Sequence, residues 1–201
     1  MQKNFKYFLI AFLFSAFVQG RAQLLDSVAL AHEDEFTNMD SALMNRDKVI
    51  KLVLRKKHLK KIPDQVAQFK NLQYLDVSKN SIKELPEWIG DLSQLQFLIC
   101  SKTGLEHVPR EIGKLKNLRW INLNQNELVL LPPQFGDMEK LEVVDMWSNN
   151  LNELPSTLQN LKKLKVLDLR NILFSDEQQR YIQELLPHTT VFLSPSCKCK
   201  W

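Results

Sequence analysis

The chain has 201 residues, 44% of them hydrophobic and 25% charged, with a formal net charge of +4. That balance excludes a mainly disordered chain, and 5 Gly, 8 Pro and 3 Cys exclude collagen-like, low-complexity and disulfide-scaffold designs. Leucine is the outlier at 34 residues, a bias that calls for a search for internal repeats.

The first segment, residues 1–22, has the features of a signal peptide. Lys3 and Lys6 form a short basic start, and Phe8 to Val18 is apolar apart from Ser15. Such a run is too short to span a bilayer, which needs about 20 residues. Gly20 and Ala22 supply small residues at a spacing a signal peptidase accepts, so cleavage is expected before Gln23. The segment also carries Arg21, and its loss takes the formal charge from +4 to +1 (27 − 3 = 24 cations against 23 anions). A nucleic-acid role is therefore not expected.

Residues 23–48 divide into a polar leader and an N-terminal cap. Residues Gln23 to Glu35 are acidic and polar toward their end and read as a leader rather than a domain. The sequence then predicts a helix with Phe36, Met39 and Leu43 on one face, Thr37 as N-cap and Asp40 three residues on.

Residues 49–174 repeat with a period of 23. Val49, Leu72, Leu95, Leu118, Leu141 and Leu164 each begin one of about six units. Apolar residues recur at positions 1, 4, 6, 11, 14 and 18, and Pro63, Pro86, Pro109, Pro132 and Pro155 all follow position 14. Positions 3 to 7 alternate as a short strand with one buried face does. Asn80, Asn126 and Asn149 stand at position 9, where a side-chain amide can both donate to and accept from turn backbone shut away from water. Lys57, Thr103 and Ile172 replace them, and Thr103 marks an expected weak point. No single unit can bury its own apolar face, so the units must stack into a coil. The fold class is an α/β repeat solenoid.

This pattern resembles the 23-residue leucine-rich repeats of the Ras-suppressor and Scribble-like group. The resemblance implies a horseshoe with a parallel sheet on its concave face and helical caps at both ends. It specifies fold well and function poorly.

Residues 175–201 form the expected C-terminal cap and tail. Ser175 and Gln178 make a capping box, and Tyr181, Ile182, Leu185 and Leu186 make an apolar stripe that Pro187 ends. Thr190 to Leu193 fits a last strand. Cys197 and Cys199 close the chain, with a disulfide between them, a link to another chain, or a soft metal shared with His188 all open.

Strand residues at positions 3, 5 and 7 point away from the core and form the candidate binding face. Tyr74, Phe97, Trp120 and Trp147 are the expected apolar anchors. The aromatics at position 3 should step by about 4.8 Å, the strand spacing. Asp76, Asn122, Asp145 and Asp168 are expected to orient a partner; carboxylates could take calcium, but Arg170 shares the face of Asp168 two residues on, so no metal is expected. Lys56, Lys79 and Lys102 line up at position 8 as a solvated edge. His32, His58, His107 and His188 are scattered, and Cys100 occupies a buried slot. No nucleophile elbow or phosphate-cradling loop is present.

The expectation is an exported, non-catalytic scaffold that recognises a macromolecule, a protein first, through its concave face. A glycan ligand is one alternative, since aromatic rows also suit sugar rings. An intracellular signalling scaffold is the other, if the first segment is retained. No cofactor, metal or membrane-spanning segment after cleavage is expected.

Overall fold

The computed structural model describes residues 24–196. The signal-peptide expectation and the Cys197 and Cys199 alternatives lie outside them. The core element is one sheet of eight parallel strands in sequence order. They are β1 Glu35–Phe36, β2 Lys51–Val53, β3 Tyr74–Asp76, β4 Phe97–Ile99, β5 Trp120–Asn122, β6 Val143–Asp145, β7 Val166–Leu169 and β8 Thr190–Leu193. Three α-helices accompany the sheet among the described residues: α1 Ser27–His32, α2 Met39–Met44 and α3 Asp176–Leu185.

The 23-residue period becomes strand register. Lys51 pairs with Tyr74, Tyr74 with Phe97, Phe97 with Trp120, Trp120 with Val143 and Val143 with Val166. Equal positions therefore sit side by side, and every position-4 residue from Leu52 to Leu167 is buried. Each of the five prolines then opens a five-residue 3-10 turn, from Asp64–Gln68 to Ser156–Asn160. Their φ values lie between −58° and −73°, the range the pyrrolidine ring imposes. Val66, Ile89, Ile112, Phe135 and Leu158 drive each turn back into the core.

The position-9 asparagines tie neighbouring units together. Asn126 Nδ2 donates to Cys100 O at 2.7 Å and Leu123 O at 2.9 Å. Its Oδ1 accepts from Thr103 N at 3.0 Å and Leu105 N at 3.0 Å. Asn80 makes the same bonds two units earlier. Thr103 keeps part of the pattern, since its Oγ1 donates to Cys100 O at 3.2 Å and to Asn126 Oδ1 at 2.9 Å. It lacks the second arm that would reach back to the preceding unit.

The ends differ from expectation at the N-terminus. The leader carries a helix that the sequence did not announce: α1 is capped by Asp26, whose side chain accepts from Val28 N and Ala29 N, and Leu30 is buried. Leu25 N donates to Gln73 Oε1 at 2.9 Å, and Gln96 Nε2 donates to Leu25 O at 2.8 Å. Phe36 is not helical but pairs with Leu52 in the sheet. The N-cap of α2 is Asn38 rather than Thr37, because the Asn38 side chain accepts from Asp40 N. At the other end the Ser175–Gln178 capping box is present and β8 pairs with β7. Ile182 and Leu186 are buried, whereas Tyr181 is exposed. Among the described residues no helix is long and apolar enough to cross a membrane.

Candidate binding face

The sheet brings the four position-3 side chains of β2 to β5 into one stack. Tyr74 and Phe97 rings lie 6.0 Å apart at 29°, and Phe97 and Trp120 lie 5.9 Å apart at 66°. These steps exceed the expected 4.8 Å because the rings tilt, and the second pair is edge-on. Lys51, absent from the expected site, ends the stack. Its Nζ lies 5.3 Å from the Tyr74 centroid and 2.9 Å from Glu35 Oε1. Burial, followed by the charges of Asp76 and Glu35, raises the Tyr74 phenol above its usual value. At the other end Trp120 is 41% exposed, and its next neighbours in register are the smaller Val143 and Val166.

Position 5 does local work that spacing alone does not announce. Asp76, Asn122, Asp145 and Asp168 each accept from the backbone N–H two residues on. This Asx-type contact satisfies a donor where the strand ends. Asp76 is consumed by it: only 7% exposed, it offers a partner little.

Asp145 and Asp168 are partners in register but differ in environment. Burial raises the Asp145 carboxyl, against the lowering effect of Asn124 Nδ2 at 2.6 Å and Trp147 N. Burial also pushes Asp168 upward, but Arg170 outweighs it and holds that carboxyl low. Arg170 Nη2 donates to Asp168 Oδ2 at 2.5 Å. Trp147 is half-buried at position 7 and stands apart from the position-3 stack.

Among the described residues no group of three or more His, Cys, Asp or Glu could hold a metal ion. Cys100 is buried, and loss of solvent pushes its thiol well above the usual range, so it remains a protonated core residue. A separate groove of about 520 Å³ lies between Leu154, Pro155 and α3. It shares no residue with the strand face.

Comparison with known proteins agrees with this geometry. A leucine-rich repeat region matches residues 48–118, and further leucine-rich repeats match 117–138 and 140–161. No curated protein matches the chain. A leucine-rich repeat protein of Leptospira interrogans is similar at 30% identity and a TM-score of 0.66, over 81% of this chain and 48% of that one. TLR13, solved in complex with ssRNA13, is similar at 26% identity and 0.59, over 64% of this chain and 19% of that one. The ectodomain of the Arabidopsis thaliana receptor kinase GASSHO1/SCHENGEN3, solved with CASPARIAN STRIP INTEGRITY FACTOR 2, is similar at 25% identity and 0.58. That match covers 72% of this chain and 17% of the receptor. The chain thus spans about half the length of the Leptospira protein and less than a fifth of either receptor. The chain belongs to the leucine-rich repeat proteins.

Proposed function

We propose that the chain is an exported, non-catalytic scaffold that binds a protein partner on its strand face. The observation that carries this reading is the stack of Lys51, Tyr74, Phe97 and Trp120, which ends in an exposed indole. Beside it stands Asp145, a carboxylate in no ion pair among the described residues. An aromatic anchor next to a desolvated charge is the usual make-up of a binding hot spot. Strand positions hold both groups rigidly, so little ordering entropy opposes association. Two of the similar structures are complexes, one with an RNA and one with a named factor, which supports ligand binding by this fold in general.

Export rests on residues 1–22, and N-terminal sequencing of the purified native protein tests it. Gln23 as first residue supports the reading, and an intact Met1 sinks it. The binding face is tested by crosslinked capture from the envelope fraction with the parent chain and the Tyr74→Ala/Trp120→Ala variant. Loss of one specific protein with the fold intact is expected. Unchanged capture by the variant removes the strand face from consideration.

A further inference from the structure

The turn after each strand places its position-8 residue in left-handed backbone. Lys56, Lys79, Lys102, Gln125, Ser148 and Asn171 all have φ between 54° and 60°. Nothing in that conformation asks for lysine, which is no better suited to positive φ than glutamine or serine. Yet the first three turns carry lysine and the last three carry uncharged residues.

Backbone pairing sets these lysines side by side. Lys56 N donates to Ser78 O at 3.2 Å, Lys79 N to Ser101 O at 2.8 Å and Lys102 N to Asn124 O at 3.1 Å. Successive ammonium groups therefore start from backbone about 4.8 Å apart. Arg55 and Lys57 flank the first, and all five side chains are exposed. Among the described residues none of the five forms an ion pair, although Lys61 and Lys83 nearby do. The crowding is felt within the row: Arg55 first, then Lys56, and Lys102 after desolvation, push the Lys79 ammonium below its ordinary value. The carboxylate beneath, Asp76, is buried and occupied by Ser78 N.

We propose that this crest is a binding site for a linear acidic polysaccharide, one that carries carboxylate or sulfate groups at short, regular intervals. A single file of cations one strand apart matches a chain of closely spaced anions laid along it. Single-stranded nucleic acid needs aromatic platforms among the cations. The aromatic row here lies at position 3, on the strand face, and not among the lysines of position 8. An anionic membrane needs a broad basic patch or apolar anchors beside the charges. Of the large exposed apolar residues, Val28 and Met44 belong to the N-terminal cap and Trp120, Val129, Leu130, Leu173, Tyr181 and Phe192 to the later units and the C-terminal cap, so none lies in the three units that carry the crest. A hydroxyl-covered polymer needs neither platform nor anchor.

The test uses the full chain and two probes, heparin for sulfate and polygalacturonate for carboxylate, with affinity measured across a salt series. Lys56→Gln/Lys79→Gln/Lys102→Gln copies what Gln125 already places in the same backbone, so the fold is kept. Lys140→Gln/Lys162→Gln/Lys163→Gln removes the same charge from the opposite margin of the units. The crest variant is expected to lose at least about tenfold in affinity for one or both polysaccharides. Its slope of log affinity on log salt should fall by about two to three. The margin variant should stay within about twofold, and Tyr74→Ala/Trp120→Ala should bind as the parent does, which separates this site from the strand face. Three outcomes overturn the proposal: no binding of either probe by the parent, equal losses in both lysine variants, or tighter crest-dependent binding of single-stranded DNA or phosphatidylglycerol vesicles.

Discussion

Lys51 Nζ lies 5.3 Å over the Tyr74 ring while it pairs with Glu35 Oε1 at 2.9 Å. One ammonium thus ends the aromatic stack and ties β1 to the repeats. The two sides of the ion pair are unequal, since the Lys51 side chain is 11% exposed and that of Glu35 is 48% exposed. Removing Glu35 strands a buried cation, whereas removing Lys51 frees a carboxylate that water can reach. Glu35→Gln is therefore expected to cost about 2 kcal/mol and Lys51→Met, which keeps the apolar stem, about 1 kcal/mol. For a chain of this size each kcal/mol lowers Tm by about 2–4 °C. Thermal unfolding of both variants checks the order, and the reverse order would mean that water reaches Lys51.

Asn126 makes four bonds to backbone and accepts a fifth from the Thr103 hydroxyl, and is itself 4% exposed. Asn126→Ala leaves two carbonyls and two amides without these partners in a place water does not enter. The expected loss is at least about 3 kcal/mol. Thr103→Asn supplies the missing arm toward the preceding unit and is expected to gain about 0.5–1 kcal/mol. Urea midpoints of the two variants, read against the parent, test both signs.

What the sequence made legible is what recurs. A position seen five or six times in phase reveals burial and register together, so the strand columns and the asparagine ladder could be assigned before any coordinates. The capping box at Ser175 was equally plain because its signal is local. Contacts made once left no such trace. Leu25 meets Gln73 and Gln96, 48 and 71 residues away, and no spacing announces either contact. Phe36 has a helical neighbour pattern, but the open edge of β2 offered it a partner in Leu52. At the candidate site the columns were right in register and incomplete in role. The Asp76 carboxylate turns to the backbone of Ser78, and Lys51 joins the aromatics through ring chemistry rather than repeat position.

Gly136 sits where adjacent 3-10 turns touch. A Cβ there would lie 2.2 Å from Thr157 O, closer than atoms can approach, and backbone cannot swing aside as a flexible side chain would. Gly136→Ala is expected to cost about 2–3 kcal/mol. Gly104 provides the contrast: it has φ +72° but no atom within 4 Å of an added Cβ. Gly104→Ala meets only left-handed strain and is expected to cost about 1 kcal/mol. Equal urea midpoints for the two variants would show that the turns part more easily than their spacing implies.

Asp145 and Asp168 should respond to pH with opposite signs. Burial raises Asp145 in the folded chain. Its stabilising contribution is present below the unfolded value of about 3.9 and is lost as pH rises through the folded value. Asp168 is also pushed upward by burial, but Arg170 reverses the balance and lowers it. Its contribution is present above about 3.9 and is lost as pH falls through the folded value. Asp145→Asn is therefore expected to be more stable than the parent at pH 7, with the gain vanishing below about pH 4. Asp168→Asn is expected to be less stable at pH 7, by at most about 1 kcal/mol because the Arg170 side chain of the pair is 58% exposed and screened by water, with the deficit closing toward pH 2. Urea midpoints from pH 2.5 to 7 check both. A destabilised Asp145→Asn at pH 7 would mean that the bonds from Asn124 and Trp147 outweigh desolvation. The carboxylate would then be a strand-end cap first, and its place as the desolvated charge beside the aromatic anchor would lose its energetic basis.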